Sequence, residues 1–317
     1  MWGVKGNAKC LIFIDDVNMP EKQTYGAQPP IELLRTLIDF RGFYDRQTFA
    51  WKEIEKFTIV CAAAPPSGGR QPLTPRFMRH FQIVCVQEPA EETLAQIFES
   101  ILGGYFRLRN ANEKLKPSVA VQASIDMYQQ VKDTMLPIPA KFHYTFNLRD
   151  MANVFQGILM CEPHKIADAD GYAKLWLHEC SRVFADRLCT REDIEAYQDI
   201  ACDILATKFK VKWSKPEEAF GAGKEIIFSK ILTLEYETQY YELIEDREKL
   251  LQCLHEKLAS YNLSAPSKMD LVFFSDAVAH VMSIMRTLMQ PRGNAMLIGV
   301  SGSGKQSLTH LAAFILE

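Results

Sequence analysis

The feature that most restricts this chain is GVSGSGKQS at residues 299–307, preceded by the apolar run AMLIGV (295–300) and followed by LTHLAAFIL (308–316), which has a helical pattern. Gly299, Gly304 and Lys305 fit the phosphate-loop spacing GxxxxGK, and strand before, helix after is the context that spacing requires. Glycines, Gly302 among them, let the backbone turn tightly so that successive N–H groups face a phosphate. The helix N-terminus adds partial positive charge, and Lys305 neutralises the β and γ oxygens. Gln306 stands where Ser or Thr normally ligates Mg²⁺, with Ser307 one place later. The loop predicts binding of ATP or ADP, with a weaker provision for Mg²⁺-dependent hydrolysis.

The other half of such a site is an apolar strand ending in acidic residues, and LIFIDD at 11–16 has that form. Asp15 is placed to hold Mg²⁺ through its water shell and Asp16 to orient an attacking water. Asp16 is one methylene shorter than the Glu usual in hydrolysing enzymes, which moves a base by about 1 Å and costs about 10²-fold in rate. The order is reversed: a single nucleotide-binding domain runs from phosphate loop to acidic strand, whereas here Asp15 precedes Lys305 by 290 residues and twelve residues follow Lys305. The two halves are therefore expected to belong to different modules.

Between them the texture changes once. Cys10–Ile14, Phe57–Ala64 and Phe81–Val86 are continuous apolar runs of strand length, the pattern of strands covered on both faces, and Ile31–Phe40 has helical spacing behind Pro29 and Pro30. This predicts an α/β layer over 1–88. From Pro89 helical periodicity takes over, as in a helical domain, up to a turn-rich linker at 212–225. Ile231–Leu263 then reads as an amphipathic helix that packs on its own domain. The expected division is 1–88, the C-terminal part of an α/β subdomain; 89–225, a helical subdomain and linker; and 226–317, the start of a second module.

Five stretches, LIFIDDVNMP (11–20), YGAQPPIELLR (25–35), GRQPLTPRFMRHF (69–81), FNLRDMANVFQGI (146–158) and MLIGVSGSGKQSLTHLAAFI (296–315), closely resemble dynein heavy chains, especially axonemal ones. The resemblance spans essentially the whole chain. It implies a partial AAA+ P-loop NTPase sheet, its helical lid and the beginning of the next AAA+ module, from the Walker B strand of the third module to the phosphate loop of the fourth. Asp15 and Asp16 match the Walker B pair. Arg76 or Arg79 matches the arginine finger offered to the second module's nucleotide, where a guanidinium stabilises charge on a transferring phosphoryl group. Arg149 matches the sensor-2 arginine of the lid, and Ala64 stands where a polar sensor-1 residue is usual. With Asp16 for Glu, this favours a regulatory nucleotide site over a fast ATPase. The resemblance also implies a microtubule motor of the cilium axoneme, whose partners are the other AAA+ modules, dynein intermediate and light chains, and microtubules. The isolated chain is expected to be inactive for want of a complete site. A free-standing kinase would need an acidic strand and an acceptor domain after Lys305; a short non-motor interaction module is the alternative reading.

Composition reads as that of a soluble cytosolic (cytoplasm) or cytoskeletal protein. Thirty-six Lys and Arg against 39 Asp and Glu leave no global basic field for nucleic acid. No apolar run reaches the roughly 18 residues of a membrane span, and MWGVKGNAKC has no signal-peptide apolar region. Eight cysteines form no CxxC pair, which predicts reduced, mostly buried thiols, and seven histidines show no HExxH or other metal spacing.

Overall fold

The computed structural model describes residues 2–66, 69–112, 115–166, 168–221, 225–232, 240–264 and 268–316. These form two compact units, 1–88 and 89–317.

In the first unit β1 (Cys10–Ile14) pairs in parallel with β4 (Phe57–Cys61), Cys10 opposite Phe57 through Ile14 opposite Cys61. Between them lie α1 (Pro29–Phe40) and a hairpin of β2 (Gly42–Tyr44) and β3 (Trp51–Glu53). The two prolines pre-set the first turn of α1, and Arg41 ends it in the left-handed region (φ 53°). Val17, Ile31 and Phe77, the last on the short α2 (Pro75–Met78), make a small core beneath the end of β1.

Three expectations need correction in this region and its counterpart near the C-terminus. Residues 81–86 and 295–300 have strand composition but join no sheet among the described residues; a strand persists by pairing, and neither segment has a paired strand among them. Most of their apolar side chains are exposed, Val86 by 89% and Met296 by 86%, while Phe81, packed on Phe77, and Leu297 are half-buried. The run at 57–64 ends as a strand at Cys61. Leu11 and Phe13 are also exposed, so β1 is covered on one face only.

The second unit begins with helices α3 (Glu91–Leu108), α4 (Pro117–Thr134), α5 (Leu148–Ile158), α6 (Ala169–Cys180) and α7 (Arg191–Ile204). Single π-helical turns at Ser181–Ala185 and Leu205–Phe209 extend the last two. Leu102, Val121, Met127, Trp176 and Phe184 are among their fully buried side chains, and Phe98 stacks on Phe155 at 4.4 Å. The stretch expected as a linker carries α8 (Pro216–Ala219) and packs on these helices: the Trp213 indole N–H donates to Asp170, and Phe220 meets Tyr197 edge-on. Residues 222–224 of it lie outside the described residues.

A second core gathers α9 (Arg247–Ser264), α10 (Ser275–Met289) and α11 (Lys305–Leu316) around Leu254, Val281, Met285 and Leu311. The helix expected over 231–263 is thus confined to its second half. Residues 233–239 lie outside the described residues, and β6 (Glu242–Leu243) pairs with β5 (Phe228–Ser229) instead. Tyr241, fully buried beside that pairing, is committed to hydrogen bonds a helix at this point would not direct the same way.

Candidate nucleotide half-sites

The acidic half-site sits where β1 ends. Asp16 takes a left-handed conformation (φ 47°), which Asp tolerates better than most residues, and its N–H donates to Asp15 Oδ1 at 3.0 Å. The turn is held from beneath: the Val17 N–H donates to the Ala62 carbonyl (3.0 Å), and the buried Asn18 amide donates to the Ala64 carbonyl (2.8 Å). Ala64 therefore lies near the end of the acidic strand, tied to Asn18 through its backbone carbonyl. Asp15 is exposed. Asp16 accepts from Arg70, Nε at 3.1 Å and Nη2 at 3.4 Å, a partner sequence reasoning missed. Its only signal in the sequence is one basic residue in GRQPLTPRF, a stretch that also holds Arg76.

Arg76 and Arg79 flank the buried Phe77 at α2 and are both exposed. Arg79 is engaged: Nη2 lies 3.4 Å from Asp39, which also takes Arg35 at 3.0 Å. Arg76 has no ion pair among the described residues. Arg149 opens α5 with an exposed side chain. Its backbone N–H donates to the cap Asn147 Oδ1 (2.8 Å), while the Asn147 N–H donates to Asp150 Oδ2 (2.9 Å), a reciprocal capping box. Asp150 in turn accepts Arg187 at 2.7 Å, fixing the start of the helix that carries Arg149.

The phosphate loop forms at the start of α11. Gly302 (φ 81°) and Gly304 (φ 78°) both occupy the left-handed region that glycine enters freely, and the Leu308 N–H already donates to the Gly304 carbonyl (2.9 Å). Lys305 Nζ arches back over its own loop to the Gly299 carbonyl (2.8 Å), the Val300 carbonyl (2.6 Å) and Ser303 Oγ (3.2 Å). Its ammonium thus stands above the turn, with the free N–H groups of the helix N-terminus beside it, an arrangement that fits a phosphate. Gln306 is exposed and Ser307 half-buried. Among the described residues no three His, Cys, Asp or Glu side chains converge as a metal cage. Mg²⁺, which keeps several waters and takes one or two carboxylates plus phosphate oxygens, needs no such cage. Asp15 on one half-site and Ser307 on the other are the residues able to hold it.

Residues 1–89 match the family described as "P-loop containing dynein motor region", 120–212 match "AAA+ lid domain", and 269–317 match "P-loop containing dynein motor region D4". The chain belongs to the dynein heavy-chain family. It is 44% identical to "Dynein axonemal heavy chain 6" of Homo sapiens over 99% of its length, 41% identical to the human "Dynein axonemal heavy chain 1" over 97%, and 39% identical to "Dynein beta chain, ciliary" of Tripneustes gratilla over 99%. It spans about 7–8% of the length of these relatives. The architecture is accordingly AAA+: motor-region sheet, lid, and the opening of a further module. No described helix is long and apolar enough to cross a membrane.

Proposed function

We propose that this segment of a dynein heavy chain contributes two nucleotide half-sites to a motor ring, and that they regulate the motor. The observation that carries the reading is that the acidic turn and the phosphate loop are each locally well formed yet stand in separate units, in the order opposite to a single site. Residues 1–88 serve as the back of one AAA+ module, 89–225 as its lid and linker, and 226–317 as the front of the next. ATP or ADP binds at the loop through the Gly299–Ser307 backbone and Lys305, with Gln306 at its mouth; the cofactor supplies the phosphoryl chemistry. Asp15 holds Mg²⁺ through water.

Asp16 is a poor base, both for its length and because Arg70 already claims its two oxygens. With Ala64 unable to hydrogen-bond a water, the first module's site favours slow exchange over rapid turnover. Arg76 is the better arginine finger of the two, since Arg79 is held by Asp39. Arg149, fixed by its capping box, reaches the phosphates of its own module. The partners are the neighbouring AAA+ modules and, through the whole heavy chain, intermediate and light chains and microtubules of the cilium axoneme.

Photoaffinity labelling of the complete heavy chain with an azido-ATP tests this. Label is expected on peptides covering 296–316 and is expected to be lost in Lys305→Ala, with microtubule gliding slowed rather than abolished. Undiminished labelling in Lys305→Ala, or complete loss of basal ATPase activity, would overturn it.

A further inference from the structure

We infer that a buried ion pair, Glu179 with Arg286, couples the helix that carries Arg149 to the helices that hold the phosphate loop, so that binding at the loop and the setting of the lid influence each other. The inference rests on the reading of 299–307 as a phosphate site.

Glu179, at the end of α6, is completely buried, where an isolated carboxylate is strongly disfavoured. Two groups compensate it through three hydrogen bonds. Arg286 of α10 donates to Oε2 through Nε (2.8 Å) and Nη2 (2.5 Å), and the Tyr241 hydroxyl donates to Oε1 (2.6 Å). The Tyr241 oxygen lies 3.1 Å from Nε2 of the buried His178, whose Nδ1 is 2.8 Å from the Ile226 carbonyl. The network therefore takes two members from the lid helix α6, Glu179 and His178, two from the segment that follows the linker, Ile226 and Tyr241, and one from α10, Arg286.

Two further observations give it direction. Gly157 lies inside α5, where glycine weakens a helix, and a Cβ there would overlap the Glu179 carboxylate and crowd Arg286. The helix that carries Arg149 in its first turn thus rests its far end directly on the ion pair. A second tie runs parallel to the first: Arg182 Nη1 donates to Ser283 Oγ (2.6 Å), whose hydroxyl donates to Asp186 Oδ2 (3.0 Å). Arg182 sits in the π-helical turn 181–185, the kind of local irregularity that often serves function. Ser283 and Arg286 are three residues apart on α10, hence on one face. Through Val281 and Met285, α10 shares a core with Leu308 and Leu311 of α11, the helix opened by Lys305. Replacing a buried pair by apolar residues of like size is often neutral or stabilising, so what this pair distinctively supplies is position. Coupling between two sites requires a physical element that both bias, and this cluster touches α5, which carries Arg149, and α10, which packs on the helix that carries the loop.

The test is amide hydrogen exchange of the 317-residue chain with and without ADP and Mg²⁺, in the wild type and in the double variant Glu179→Gln/Arg286→Met, which removes both charges together. In the wild type, ADP is expected to slow exchange about tenfold at 301–306 and also at 154–158. In the double variant loop protection stays within twofold of wild type while protection at 154–158 disappears. Equal protection of 154–158 in both proteins, or none in the wild type despite a protected loop, overturns the coupling. If ADP protects the loop in neither protein, the phosphate reading fails by itself, and the coupling is judged from exchange in rising urea. Residues 154–158 and 284–289 then open at one midpoint in the wild type and at separate midpoints in the variant; a common midpoint in both overturns it. Ser283→Ala, which cuts only the second tie, serves if the double variant does not fold: the response at 154–158 is expected to fall about threefold, and an unchanged response counts against the proposal.

Discussion

Acid is expected to destabilise the unit of residues 89–317 through one group, His178. Burial, reinforced by the charges of Arg182 and Arg286 and opposed only by the hydrogen bond to the Ile226 carbonyl, holds its imidazole well below the usual histidine range. Its other neighbours are the Tyr241 hydroxyl and, at 4.0 Å, the Glu179 carboxylate, already committed to Arg286. The folded chain therefore keeps this ring neutral at a pH where the unfolded chain, with an ordinary pKa of about 6.5, takes up a proton. Above that pH the residue contributes no pH dependence. Below it the unfolded state binds one more proton, and stability falls by about 1.4 kcal/mol per pH unit, reaching about 2 kcal/mol at pH 5. Urea unfolding at pH 7.5, 6.5, 5.5 and 5.0, in the wild type and in His178→Gln, isolates the effect from the six other histidines. The free-energy difference between the two proteins is expected to stay flat from 7.5 to 6.5 and then shift steadily in the variant's favour. Parallel curves down to pH 5 would refute the reasoning, because they would mean that His178 either charges in place or stays accessible to a proton.

Ser124→Ala leaves the indole N–H of Trp176, which donates to Ser124 Oγ at 3.0 Å with both residues fully buried, without a partner; a loss of about 1–3 kcal/mol is expected from equilibrium unfolding. Asn147→Ala removes the capping box at the start of α5 and is expected to cost about 1 kcal/mol, read from the same urea titration. On treatment with iodoacetamide at pH 7.5, the exposed Cys85 and Cys189 are expected to be alkylated first. Burial pushes Cys161 up to about 12 and Cys202 up to about 11, so both, with the buried Cys180, should react only after denaturant is added; early modification of Cys161 by mass spectrometry would contradict this packing.

Motifs with a strict local geometry could be read from the residues alone. The glycines of 299–307 announce left-handed backbone, and Gly302 and Gly304 adopt it; the apolar run before Asp15 is a strand, and Pro29 and Pro30 start α1. What pairing decides could not be read in the same way. FQIVCV and AMLIGV carry strand composition, but a strand depends on a neighbour that composition does not name. The site's charges were half legible: Asp16 was found, whereas its partner Arg70 lies 54 residues away, and nothing local distinguishes it from the other arginines of that stretch. The Glu179–Arg286 pair spans 107 residues, and Gly157 acquires its meaning only when the carboxylate beside it is seen.

The central claim is that the acidic turn and the phosphate loop belong to different nucleotide sites, each needing a half supplied from elsewhere in a heavy chain. It is tested most directly by ATP turnover of the 317-residue chain beside its Lys305→Ala variant. Phosphate release is expected at background in both proteins. Turnover clearly above background in the wild type, abolished in Lys305→Ala, would show that the two halves assemble into one working site and would contradict it.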